Sequence, residues 1–155
     1  MQRALTLYST TIGKKIAMAL SGAILVVFTI VHMAGNMNLY AGQEAFNGYA
    51  EKLHSMPALL WTARIGLIFA FLAHLVSAAM LWAKNSSARP VGYKKKKDIA
   101  RDYAAKTMYL TGPTLLFYIL FHLAHMTAGK TFGLYEWQDE NPYDNLVHGF
   151  QQRPP

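Results

Sequence analysis

The segment Ile16–Ala34, IAMALSGAILVVFTIVHMA, carries no Lys, Arg, Asp or Glu and ends on a histidine, His32. A transmembrane helix needs about 20 mostly apolar residues, roughly 30 Å at 1.5 Å per residue. The same pattern recurs in Ile65–Ala83, which holds His74, and in Met108–Gly129, which holds His122 and His125. A soluble helical protein would interrupt runs of this length with charge on its outer face. The expectation is an all-α integral membrane helical bundle. One membrane-anchor domain, residues 1–155, would have spans at about 15–36, 59–83 and 107–128. A basic loop at 84–106 and an outer acidic loop at 129–153 would complete it.

Composition agrees with that reading. Of 155 residues, 53% are hydrophobic and 15% charged, against roughly 25% charged in soluble chains. The net charge of +7 does not mark a nucleic-acid binder, because long stretches of the chain carry no charge at all. There is no cysteine. That excludes disulfides, thiolate zinc sites, cysteine-held iron–sulfur clusters and covalently attached haem in this chain. If a metal is held, histidine is the expected ligand.

The first span follows Arg3, Lys14 and Lys15. Its apolar run is longer than a signal-peptide core and two more spans follow, so it reads as a mature helix. Ser9, Thr10 or Thr11 can cap its start. Lys84, Arg89, Lys94 to Lys97, Arg101 and Lys106 crowd the connection between the second and third spans. The other side has Lys52, Arg64, Lys130 and Arg153 beside Glu44, Glu51, Glu136, Asp139, Glu140 and Asp144. The positive-inside rule then puts the N-terminus and the basic loop in the cytoplasm. The basic loop serves that topology and attracts anionic lipid heads; a docking surface for a cytoplasmic partner is the sharper reading. Arg64 can snorkel from its span. FNGYAEKLHSMP reads as a short interfacial helix ended by Pro57, with Tyr49 and Trp61 as interface anchors.

Histidines inside a membrane are functional candidates, although a hydrogen bond to a neighbouring helix carbonyl also accounts for any single one. Depth distinguishes them. Counted from the cytoplasmic end, His32 lies ~24 Å deep, His122 ~22 Å and His74 ~13 Å. Two histidines on different helices therefore share a level near the outer face, with the third about 10 Å closer to the cytoplasm. Two imidazoles facing each other across a bundle suit axial ligation of haem iron. Zinc would want more ligands at that level. A proton relay would typically include an intramembrane Asp or Glu, and the spans have none.

His125 lies three residues beyond His122 and about 4–5 Å further out. It is the weaker ligand candidate and reads as a propionate or quinone neighbour or an interfacial histidine. Gly22 and Gly112 each precede their histidine by ten residues, in Ser21–Gly22 and Thr111–Gly112. Either a flat cofactor or a close helix accounts for them. By depth they fall below His74, near the edge of an inner haem. His74 has no partner in the chain. His54 and His148 stand in outer connections.

Together, TIGKKIAMALSGAILVVFTIVHMAGN, AFNGYAEKLHSMP, FLAHLVSAAMLWAKNSSARPVGY and MYLTGPTLLFYILFHLAHMTAG resemble the di-haem b558 family. These are the cytochrome b membrane-anchor subunits of succinate dehydrogenase and fumarate reductase. The resemblance runs in order from about Ser9 to Phe150. His-x-x-x-Asn in span one and Thr-Gly-x9-His in span three are its most specific parts.

The resemblance implies two b-type haems in five helices, a quinone as electron partner, and flavoprotein and iron–sulfur subunits docked on the cytoplasmic side. It implies an electron-transfer subunit that is not itself catalytic. His32 and His122 match the outer haem pair and His74 one ligand of the inner haem. Glu51 is a loose candidate for proton uptake in quinol chemistry. The family's fourth helix, which supplies the other inner ligand, is expected where this sequence reads NLVHGFQQRPP. The expectation is thus three helices of five, with the missing ligand on further sequence or another subunit. Two other classes stay open: a small proton-relaying transporter or channel fragment, and an anchor of a different quinone-linked enzyme.

Overall fold

A computed structural model describes residues 9–88, 103–133, 137–138 and 141–151. The centre of the basic loop, with Arg89, Lys94 to Lys97 and Arg101, lies outside the described residues. So do Arg3, Glu136, Asp139, Glu140 and Arg153. Every regular element among the described residues is helical, and three stretches are long and apolar enough to cross a membrane: Thr11–Ala41, Pro57–Ser87 and Tyr103–Thr127. The 31 residues of Pro57–Ser87 reach ~46 Å as helix. That exceeds a hydrocarbon core of about 30 Å, so each end projects into the polar zone. The longer helices therefore carry Lys14, Arg64 and Lys84 that the charge-free runs leave out.

Burial supports the same conclusion. Ala70 and Leu81 are the buried hydrophobic residues among those described, whereas Phe69, Leu110 and Phe117 are 70%, 72% and 70% exposed. Apolar area on this scale is unfavourable against water and neutral against lipid chains. The chain is an all-α membrane protein.

The described residues fall into two compact units. The first holds residues up to Ala41 together with those from Gly48 to Ala88. Its main elements are α1 (Thr11–Asn36) and α3 (Pro57–Ser87), with most of α2 (Gln43–His54). Thr10 is the N-cap of α1, its hydroxyl accepting from the Gly13 N–H at 3.0 Å. Beyond Asn36 the chain tightens into a 3-10 turn, Met37–Ala41. Gly42 then adopts φ +101°, in the left-handed region open to glycine. α2 stops at His54, and Pro57 opens α3 at its first position, where its missing N–H does no harm.

α1 and α3 pack antiparallel along a seam. On α3 it runs Ala70, His74, Ser77 and Leu81, all buried except the half-buried His74. On α1 it runs Lys14, Met18, Ser21 and Leu25, at least half-buried throughout. Steps of four, three and four keep one face of a helix toward a partner. Two ties fix the register. The Lys84 ammonium donates to the Thr11 hydroxyl, and His74 stands by Ser21. The α1 stripe continues to Gly35, which is buried because the Tyr49 ring of α2 lies on it. Tyr49, expected as an interface anchor, is thus a packing residue. Trp61 is exposed, with the Arg64 guanidinium 5.2 Å from its ring centroid, a pairing suited to a membrane–water boundary.

The second unit holds Gly42–Asn47 and the described residues from Tyr103 onward. α4 (Tyr103–His122) contains Pro113. The lost backbone bond is tolerated in membrane helices, and nearby the Thr111 and Thr114 hydroxyls donate to the Thr107 and Leu110 carbonyls. At His122 the helix widens to a π-turn, Leu123–Thr127. The Ala128 N–H accordingly reaches the Leu123 carbonyl, five residues back, at 3.0 Å. A short α5 (Gly129–Phe132) follows, ending on Gly133 at φ +59°.

α6 (Pro142–Gln151) lies in what was expected as an outer acidic loop. Asn141 caps it, accepting from the Asp144 N–H at 3.2 Å. The Asn47 side chain clamps this start. It donates to Asn141 Oδ1 and accepts from the Tyr143 N–H, both at 2.9 Å.

Candidate functional site

His74 is the best-defined of the expected site residues. It sits mid-span on the α1–α3 seam, half-buried. Its Nδ1 lies 3.0 Å from the Met18 carbonyl oxygen and 3.5 Å from Ser21 Oγ. A carbonyl only accepts, so Nδ1 carries the proton and donates. A neutral imidazole then bears its lone pair on Nε2. Gly22 makes the approach possible. A Cβ there would stand 3.1 Å from His74 Cε1 and 3.2 Å from Nδ1. This corrects the expectation that Gly22 lies below His74, since the register puts the two side by side. Gly112 differs: a Cβ there would meet nothing within 4 Å.

The register also resets the spacing of the proposed sites. His74 stands level with Ser21, and His32 lies eleven residues further along α1, ~16 Å on the helix axis. That exceeds the ~10 Å obtained by counting from span ends, because those ends are not level: Lys84 meets Thr11, so Ala83 lies beyond Ile16, about one helical turn further toward the same side.

His32 is on the same stripe as Ser21 and Gly35 but exposed. Its ring stacks on Phe28, centroids 5.2 Å apart. Asn36 Nδ2 lies 3.2 Å from His32 Nε2 and donates to the His32 carbonyl at 3.0 Å. The Nε2 lone pair is therefore in use.

His122 repeats the motif, stacking on Tyr118 at 6.0 Å, and His125 stacks on Phe121 at 5.4 Å. Each pair is one helical turn apart, the spacing at which side chains meet. The π-turn separates the two histidines, because a wider turn rotates His125 further from the His122 face than an α-turn does. The Phe150 ring of α6 packs T-shaped with His125, centroids 5.9 Å apart, which leaves His125 engaged with the outer segment.

His32 belongs to the first unit and His122 to the second. Among the described residues no three His, Asp or Glu side chains gather as a metal cluster. An axial haem site asks for less: one nitrogen lone pair per ligand, the other nitrogen fixed by a hydrogen bond. His74 meets that requirement as it stands, whereas at His32 the Asn36 amide engages Nε2. Glu51 is exposed on α2.

The sequence reading did not find the Met18 carbonyl, the Ser21 contact or the Tyr49–Gly35 packing. Ser21–Gly22 was the readable sign, but only the helix register shows that it faces His74. Comparisons with protein-family models, with curated proteins and with solved structures return no match.

Proposed function

We propose that the chain is the haem b-binding membrane-anchor subunit of a succinate:quinone oxidoreductase of the succinate dehydrogenase and fumarate reductase class. In this role it is an electron-transfer subunit and leaves the dehydrogenase chemistry to its partners. The observation that carries the reading is His74. An imidazole in the middle of an apolar span has one nitrogen held by a backbone carbonyl and the other without a protein partner among the described residues. An unpaired nitrogen at membrane depth is costly unless a ligand takes it. The four sequence segments that resemble the b558 anchors point the same way.

In this reading His32 and His122 hold the outer haem. His74 holds the inner one, with a second ligand from residues outside this sequence. Haem, when bound, supplies one-electron exchange between ferric and ferrous iron. The chain's own contribution is to orient imidazoles, exclude water and surround the group with apolar side chains. The basic segment faces the cytoplasm, meets the iron–sulfur and flavoprotein subunits there, and contacts anionic lipid of the inner membrane. Glu51, on the opposite side, is the group that would take up protons from quinol.

The test is optical. A reduced-minus-oxidised spectrum of the purified assembly is expected to show a bis-histidine b-type band. His32→Ala and His122→Ala are each expected to remove the same component, and His125→Ala to spare it. An assembly with no haem overturns the reading and leaves a proton-relaying membrane protein as the alternative.

A further inference from the structure

We propose that Met18, Ser21 and Gly22 form a seat on α1 that fixes His74 as the Nδ1–H tautomer in one ring plane, with Nε2 presented as the metal-binding atom. The proposal deepens the haem reading and, as regards iron, rests on it.

Three contacts define the seat. The Met18 carbonyl, 3.0 Å from Nδ1, accepts its proton. The Ser21 hydroxyl has its own acceptors, the Ala17 carbonyl at 2.6 Å and the Met18 carbonyl at 3.1 Å. Its oxygen therefore turns a lone pair toward Nδ1 at 3.5 Å. The Met18 carbonyl can only accept and repels a lone pair on Nδ1, and the Ser21 hydroxyl, with its proton directed to Ala17, accepts as well. Gly22 supplies the third contact. The ring rests where a methyl group would project, with Cε1 3.1 Å and Nδ1 3.2 Å from that point. The ring therefore cannot flip its nitrogens without losing the Met18 bond, nor tilt toward α1 without striking backbone.

The surroundings strengthen this choice. Ser21 is 5% exposed, so its side of the ring is shielded. No other described polar group engages the ring. An N–H to carbonyl bond at the far nitrogen raises the basicity of the ligating one, the usual outer-shell arrangement of metal-bound histidine. The neutral Nδ1–H tautomer also offers its lone pair with no proton to displace.

The test begins on the full chain without haem, labelled with 15N-histidine in detergent micelles. His74→Gln identifies the resonances. Wild type is expected to show a single tautomer, protonated at Nδ1 and pyridine-like at Nε2. Gly22→Ala is expected to give a tautomer mixture, while Ser21→Ala keeps the Nδ1–H form because the Met18 carbonyl remains. An Nε2–H form in wild type, or no change in Gly22→Ala, overturns the seat even if haem is present. The second measurement is a redox titration of the haem-loaded assembly. Gly22→Ala is expected to shift one haem midpoint upward and leave the other unmoved. If both move, or neither, the seat has no part in tuning the iron. A wild-type assembly without haem overturns the haem reading, and that failure is separate from the tautomer result.

Discussion

The ring of Tyr49 lies over the bare Cα of Gly35, in the space that an alanine methyl would need. This contact ties α2 to the far end of α1. Gly35→Ala is expected to destabilise the first unit by about 1–3 kcal/mol through overpacking. Thermal unfolding in detergent checks it. The Tyr49→Ala background should absorb most of the loss, because the clash is with that ring; additive losses would place the strain elsewhere.

Ser77 offers the opposite sign. It is 0% exposed, and its hydroxyl has no hydrogen-bond partner among the described residues. A buried unpaired hydroxyl is unfavourable, and alanine is the better helix former. Ser77→Ala is expected to stabilise the α1–α3 pair by roughly 1 kcal/mol. A lower melting temperature would show that the hydroxyl has a partner in the folded assembly.

Asn47 makes two hydrogen bonds to the start of α6. Asn47→Ala is expected to cost about 1–3 kcal/mol locally. Hydrogen exchange should quicken across residues 141–151 while α1 and α3 keep their protection. Unchanged exchange in α6 would mean that the Phe150–His125 packing alone holds it.

The absence of cysteine permits a direct test of topology. Ser86→Cys near the end of α3 and Ser55→Cys before its start are expected to react with a membrane-impermeant maleimide from opposite sides. In inverted vesicles of the host's inner membrane the Ser86 site should label, and in intact spheroplasts the Ser55 site. Labelling of both from one side would remove α3 as a span.

Much of the helical framework is legible in the sequence, because a long run without charge has few folds open to it in or out of a membrane. Thr10 was among three capping candidates, and Pro57 at a helix boundary follows from its missing N–H. The α6 helix was readable in principle, since Asn141–Pro142 is a cap followed by a favoured first residue. Its polar composition made it look like loop. The π-turn after His122 has no local sequence sign, as the LAHMT segment suits an α-helix equally well. The seat under His74 depends on which residue of α1 faces which of α3. That register emerges only when the two seams interlock.

Asn36 gives the two proposed sites on the first unit different readiness. At His74 an incoming metal finds its nitrogen already presented. At His32 it must first displace an amide that holds Nε2 at 3.2 Å. With identical side chains, the two positions therefore differ in their barrier to occupation, and the one deeper in the seam has the head start.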